Sequence, residues 1–118
     1  MGYALVGTIG AVSVGAAGAS VTPAWGASES RTANNLLILQ VAGDGSTTLP
    51  AAPTGWSIAK QVAGGSNTSS IFYKIAAGGD SVPTFGAISS SVQTVMLGEF
   101  SGGATSSPVD QVGSASGT

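Results

Sequence analysis

Acid, base, nucleophile or metal chemistry needs side chains that change charge or share electron pairs, and this sequence holds few of them. Five carboxylates (Glu29, Asp44, Asp80, Glu99 and Asp110) and three cations (Arg31, Lys60 and Lys74) are spread over 118 residues, with no histidine and no cysteine. Paired carboxylates can cleave glycosidic bonds and clustered ones can hold calcium. No compact Asp-x-Asp array occurs here, and Asp44, Asp80 and Asp110 each stand singly among Gly, Ser or Pro, the usual setting of a turn-forming Asp. Glu99 differs in falling inside a strand-like run, where the plain reading is a strand-end or edge charge that discourages wrong pairing.

The missing residue types remove whole mechanisms. Without histidine or cysteine there is no Ser-His-Asp triad, no Cys-His pair and no standard zinc site. Gly7-Thr8-Ile9-Gly10 and Gly78-Gly79 match neither dinucleotide nor phosphate-loop spacing. Asn67-Thr68-Ser69 fits the N-glycosylation pattern, a three-residue match that chance often produces. Two tryptophans, Trp25 and Trp56, together with Tyr73, could stack on a sugar ring, although Trp in a small domain more often anchors a core. The sequence therefore predicts no catalytic, cofactor-binding or metal-binding residue, and no cofactor.

Charge is scarce throughout, at 7% of residues with a net charge of -2. Three scattered cations build neither a nucleic-acid surface nor a polybasic membrane contact. Small residues dominate instead: the 19 Gly stand with 18 Ala, 18 Ser and 11 Thr. Yet 42% of the chain is hydrophobic and the apolar residues come in discrete runs, unlike a disordered polar chain. So little surface charge on a folded chain suits life in an assembly.

The elements that would carry these residues read as strands. The opening apolar stretch, Tyr3 to Ala19, lacks a basic flank and is cut by glycines, which argues for one or two broken strands rather than a signal peptide or a membrane span. Tyr3, Leu5, Val6, Ile9, Val12 and Val14 would be its burying side chains. Five further strands are expected at 20–24, 36–42, 56–63, 70–76 and 92–100, from β-branched or aromatic content and bounding turns. The run Leu36 to Ala42 reads as buried on both faces, whereas 70–76 and 92–100 alternate. No helical stripe of useful length appears. The prediction is one all-β domain over residues 1–118, an antiparallel β-sandwich of jelly-roll type, with an apolar N-terminal segment (1–19) and a Gly/Ser-rich C-terminal tail (101–118). Trp25, Leu37, Leu39, Trp56, Tyr73, Leu97 and Phe100 are its expected core and turn anchors.

An ordered set of motifs runs through these elements: Val21-Thr22-Pro23-Ala24-Trp25, Asn35-Leu36-Leu37-Ile38-Leu39, Pro53-Thr54-Gly55-Trp56, and Ile71-Phe72-Tyr73-Lys74-Ile75-Ala76 running into Gly79-Asp80. Leu97-Gly98-Glu99-Phe100-Ser101-Gly102 and Ser107-Pro108-Val109-Asp110 complete it. Over about residues 20 to 110 the chain resembles a family of tailed-phage virion proteins, described as minor tail or capsid-associated structural proteins with β-sandwich folds. The matching residues are scaffold and turn positions, so the resemblance carries over no catalytic residue. Members of that family often continue with further strands beyond the segment matching Ser107 to Asp110, which implies a sheet completed by neighbouring subunits.

The resemblance implies a non-enzymatic virion structural protein on the capsid surface or tail. The leading form is a capsid decoration (cement) protein, with a minor tail or fibre component, or a carbohydrate- or receptor-binding module for a host-surface glycan, as alternatives. The expected partners are further copies of the chain, in a symmetric homo-oligomer such as a trimer, and the major capsid protein. Neither nucleic acid nor membrane is expected. Tyr3, Leu5, Val6, Ile9, Val12 and Val109 are the expected inter-subunit contacts.

Overall fold

The computed structural model describes residues 2–88, 91–109 and 112–113. Six strands form: β1 (Ala4–Leu5), β2 (Ser13–Gly15), β3 (Leu36–Asp44), β4 (Ser57–Gly64), β5 (Asn67–Ile75) and β6 (Val92–Ser101). Every pairing is antiparallel, within a single sheet of order β1-β6-β3-β5-β4 in which β2 also pairs with β6. The glycines of the opening stretch break one edge into two pieces, as expected. β1 opposes Phe100 and Ser101 of β6, and β2 opposes Gln93 to Val95. Between them, the N–H groups of Val6 and Gly10 still donate to the carbonyls of Glu99 and Leu97 at 2.9 and 2.8 Å.

The registers assign each side chain to a face, since directly paired residues point the same way. Leu37, Leu39 and Val41 of β3 share one face with Phe72 and Ser70 of β5 and with Glu99, Leu97 and Val95 of β6. All eight are buried. The opposite face carries Leu36, Ile38 and Gln40 in rows with Ile75, Tyr73 and Ile71 on one side and Phe100, Gly98 and Met96 on the other.

Among the described residues, only the first face is covered, and the covering layer is made of loops. Three long connections, 16–35, 45–56 and 76–91, lay Val21, Trp56, Ala76 and Phe85 onto it, with Trp25, Ala52 and Val82 at their margin. One isolated bridge, Val21 to Phe85, is their regular pairing, and Phe85 sits 5.6 Å from Phe72 between ring centres. The all-β, antiparallel character is as the sequence predicts. The second sheet of a sandwich or jelly roll is not found among the described residues. The predicted strand at 20–24 amounts to Val21 alone, because Pro23 removes a ladder donor and the chain turns away.

Two further expectations change for the same reason. With one face open, β3 is fully buried along one side, whereas on the other Leu36 is buried, Ile38 is half-buried and Gln40 is exposed. Tyr73 and Phe100, expected in the core, lie half-buried on the open face, whereas Leu37, Leu39, Leu97 and Trp56 do anchor the core. Trp25 packs at its edge.

Close backbone approach fixes the N-terminal segment. The Thr8 N–H donates to the Ala27 carbonyl and the Ala27 N–H to Thr8 Oγ1, at 3.0 and 2.9 Å. A Cβ on Gly26 would run into the Thr8 carbonyl, so a residue without a side chain is required there.

Candidate functional site

The carboxylates come first, because any catalysis would rest on them. Glu99 does not cap an edge. β6 is an interior strand, and Glu99 projects from it into the covered side with no solvent exposure. It gathers the loop at residues 30–35: Arg31 N–H donates to Oε2 at 2.8 Å, while Thr32 N–H and Asn35 Nδ2 donate to Oε1 at 2.9 and 2.8 Å. Ser30 Oγ adds a longer contact at 3.4 Å. Burial pushes this carboxyl's pKa up, but the donors from Asn35, Arg31, Thr32 and Ser30 together hold it below its ordinary value. An ionised carboxylate with its lone pairs engaged is a poor general acid or base and a good loop anchor.

Glu29 lies nearby, and burial, reinforced by the charge of Glu99, raises its pKa despite the Gly26 N–H at 2.9 Å. Its other oxygen is buried without a partner. Asp80 caps a bend after β5, in keeping with its expected turn role, and is buried. It accepts the Ala77 and Gly78 N–H groups, both at 3.0 Å, and pairs with Lys74 Nζ at 2.6 Å. Burial again opposes ionisation there, and Lys74 with the two N–H groups overcomes it, lowering the Asp80 pKa. Asp44 closes β3 before a turn at Gly45, where φ is +95°. Asp110 lies outside the described residues. Among the described residues, no group of three or more acidic side chains stands close enough to hold a metal ion.

Polar side chains on the covered face have a common task that the sequence did not reveal. Gln61 Nε2 donates to the Pro50 carbonyl at 2.7 Å and to Ser70 Oγ at 3.1 Å. Gln93 Nε2 donates to the Gly86 carbonyl at 2.9 Å. With Glu99 and the Lys74–Asp80 pair, each of the three covering loops is thus tied to the sheet by a buried or half-buried polar group. The available signal was polar residues at core-parity positions of strands, at Gln61, Gln93 and Glu99.

A cleft of about 660 Å³ opens between two of these loops, lined by Pro50, Pro53, Trp56, Lys74, Pro83 and Phe85 among others. Lys74 is the one titratable side chain in its lining, and Asp80 neutralises it. The cleft has no acid–base pair.

The aromatic side chains that could stack on a sugar ring are dispersed rather than gathered. Trp56 is buried, Trp25 is half-buried beneath the Arg31 guanidinium at 5.4 Å from its ring centre, and Tyr73 is half-buried. What the surface does offer is apolar. Leu5, Ile9 and Val14 of the N-terminal segment are 45, 41 and 65% exposed, and Ile71 in β5 is 40% exposed. Leu5 and Val14 share the open face through their pairing with Phe100 and Thr94. Ile9 joins Ile38, Met96 and Phe100 around a dimple of about 120 Å³ left by Gly98. Tyr3 and Val12 are exposed as well, and Val6 and Val109 are half-buried. Tyr3 lies across Gly103 and accepts the Ala104 N–H at 3.2 Å.

No helix among the described residues is long and apolar enough to cross a membrane. No protein-family model, curated protein or solved structure matches the chain.

Proposed function

We propose that the chain is a non-enzymatic structural protein of a phage virion that works by adhesion, its most specific form being a capsid decoration protein. The observation that carries the adhesive part is the uncovered sheet face, where Leu5, Ile9, Ile71 and their neighbours present apolar surface. Such a face on a small domain is an interaction site or a solubility liability. The carboxylates fit a structural role because Glu99 and Asp80 are consumed as anchors for the covering loops. The virion setting rests on the ordered motifs from Val21 to Asp110.

Adhesion of this kind stabilises a particle by binding its assembled state in preference to the separated one, and many weak contacts add through avidity. The scarcity of charge keeps the desolvation cost of close contact low. A tail or fibre position uses the same surface with a different neighbour.

The test is a particle experiment. In the phage encoding this sequence, removal of the protein should lower the temperature at which packaged DNA is released, and added purified protein should restore it. Particles in which the protein is absent, or whose heat resistance is indifferent to it, overturn the reading.

A further inference from the structure

We propose that the open sheet face binds a second copy of this chain face to face, so that two single sheets make a sandwich between subunits. The inference rests on the adhesive reading above and names its partner and geometry.

Size is the first argument. Five rows of strands at about 4.8 Å spacing and about nine residues at 3.3 Å rise give a face of roughly 24 by 30 Å, or about 700 Å² per copy. A stable interface needs about 800 Å² per partner, so a contact that covers nearly the whole face comes close to that size. Charge is the next. By register, the formal charges on this face among the described residues are Lys60, on the edge strand β4, and Asp44, at the end of β3. They cancel within each copy and sit at the perimeter, so no charge is buried at the centre, and only the two Asp44 side chains, at the exposed end of β3, come to the same end of the interface.

The edges argue against the competing arrangement. Sheets also associate by extending edge to edge. Here β4 carries a bulge between Ile58 and Lys60, and the opposite edge is broken between β1 and β2. Both interrupt the row of free backbone groups that an added strand would need.

Shape favours a second copy in particular. Tyr73, Ile38 and Gly98 form one row across β5, β3 and β6. A two-fold axis along the central strand β3 exchanges the positions of β5 and β6. It sets the second copy's Tyr73 opposite Gly98, against the Ile9 and Phe100 side chains that lie over that glycine, and the reverse contact follows by symmetry. Aromatic and aliphatic side chains thereby meet on both sides of the axis. Sheets packed this way lie about 10 Å apart.

The test is sedimentation of the full chain, with Ile71→Glu to charge the face, Gln40→Lys as a second variant at an exposed position, and Thr48→Glu in a covering loop as control. The wild type is expected at twice 11.3 kDa. Ile71→Glu or Gln40→Lys should weaken association at least 100-fold, and Thr48→Glu should leave it unchanged. Because the chain has no cysteine, Gln40→Cys supplies a single thiol near the axis. A short bis-maleimide should link it between copies, and should fail to link Thr48→Cys. A monomeric wild type, or a complex indifferent to both face charges, overturns the proposal. Neither result touches the virion reading, which depends on the presence and effect of the protein in particles.

Discussion

Removing the acceptor at Glu99 should show how the covering layer is held. Its carboxylate receives two backbone N–H groups and one side-chain amide at 2.8 to 2.9 Å on a fully buried site. Hydrogen bonds to a charged acceptor contribute about 1.5–3 kcal/mol each, set against several kcal/mol for desolvating the carboxylate. Glu99→Ala removes the favourable term and leaves three donors without an acceptor, a net loss of about 3–5 kcal/mol. Glu99→Gln keeps one oxygen for Thr32 and Asn35 but turns an amide N–H₂ towards the Arg31 N–H, a loss of about 2 kcal/mol. For a chain of this size that corresponds to a Tm lower by about 8 °C for Gln and about 12–20 °C for Ala. The pH dependence has a definite sign. Because the folded pKa lies below the ordinary value of 4.5, the contribution is complete above that pH and is lost as pH falls through the lowered value. Thermal unfolding by circular dichroism from pH 7 to pH 3 measures both effects, and the Gln variant should have the flatter acid limb. An Ala variant that loses less than about 1 kcal/mol, or a Gln variant equal to Ala, would refute the anchor role.

Two further substitutions probe the neighbouring carboxylates. Glu29 has a raised pKa, so its stabilising form is the protonated one, and that contribution is lost as pH rises through its folded value. Glu29→Gln should therefore stabilise the protein at pH 7, by about 0.5 kcal/mol after solvent screening, and have no effect near pH 3, as melting curves at the two pH values will show. Lys74→Met strips the cation from Asp80, whose side chain is 2% exposed, and should cost about 2–3 kcal/mol in urea unfolding. Adding Asp80→Asn to that variant should recover part of the loss, and a Lys74→Met protein as stable as wild type contradicts the ion-pair account.

The strands were legible because their period of two is written locally. Ile71, Tyr73 and Ile75 against Phe72 and Lys74, and Val95 and Leu97 against Met96 and Phe100, divide between faces in the structure as their alternation requires. What alternation does not encode is which face is covered and by what. Tyr73 and Phe100 are as apolar as core residues, so a local reading places them inside, although loops reach the other side of the sheet alone. The run Leu36 to Ala42 misleads in the same way, since Ile38 has the character of a core residue on an uncovered face.

Glu99 was misread for a different reason. A carboxylate near the end of a strand resembles an edge guard until the loop that donates to it, more than 60 residues earlier, is placed beside it. Gln61 and Gln93 reach the Pro50 and Gly86 carbonyls from only 11 and 7 positions away, yet the strand pattern alone does not show that those loops fold back over it. The turns at Asp44 and Asp80 were readable because Asp beside Gly is a local signal, but the Lys74 partner of Asp80 was not.

The pairing of the first strand with the last also fixes a sequence of events during synthesis. Ala4 and Ser101 stand 97 positions apart, and Val21 pairs with Phe85 only after the whole of β3, β4 and β5 has passed. β4 and β5 can zip as a local hairpin at once. The N-terminal segment must wait until nearly the entire described chain has left the ribosome, with Leu5, Ile9 and Val14 uncommitted meanwhile. Such distant closure slows folding and lengthens the interval in which apolar segments can find wrong neighbours. Joining the ends differently, by a circular permutation that places 2–15 directly after β6, would turn this slowest contact into a local one and should speed refolding while leaving the final sheet the same.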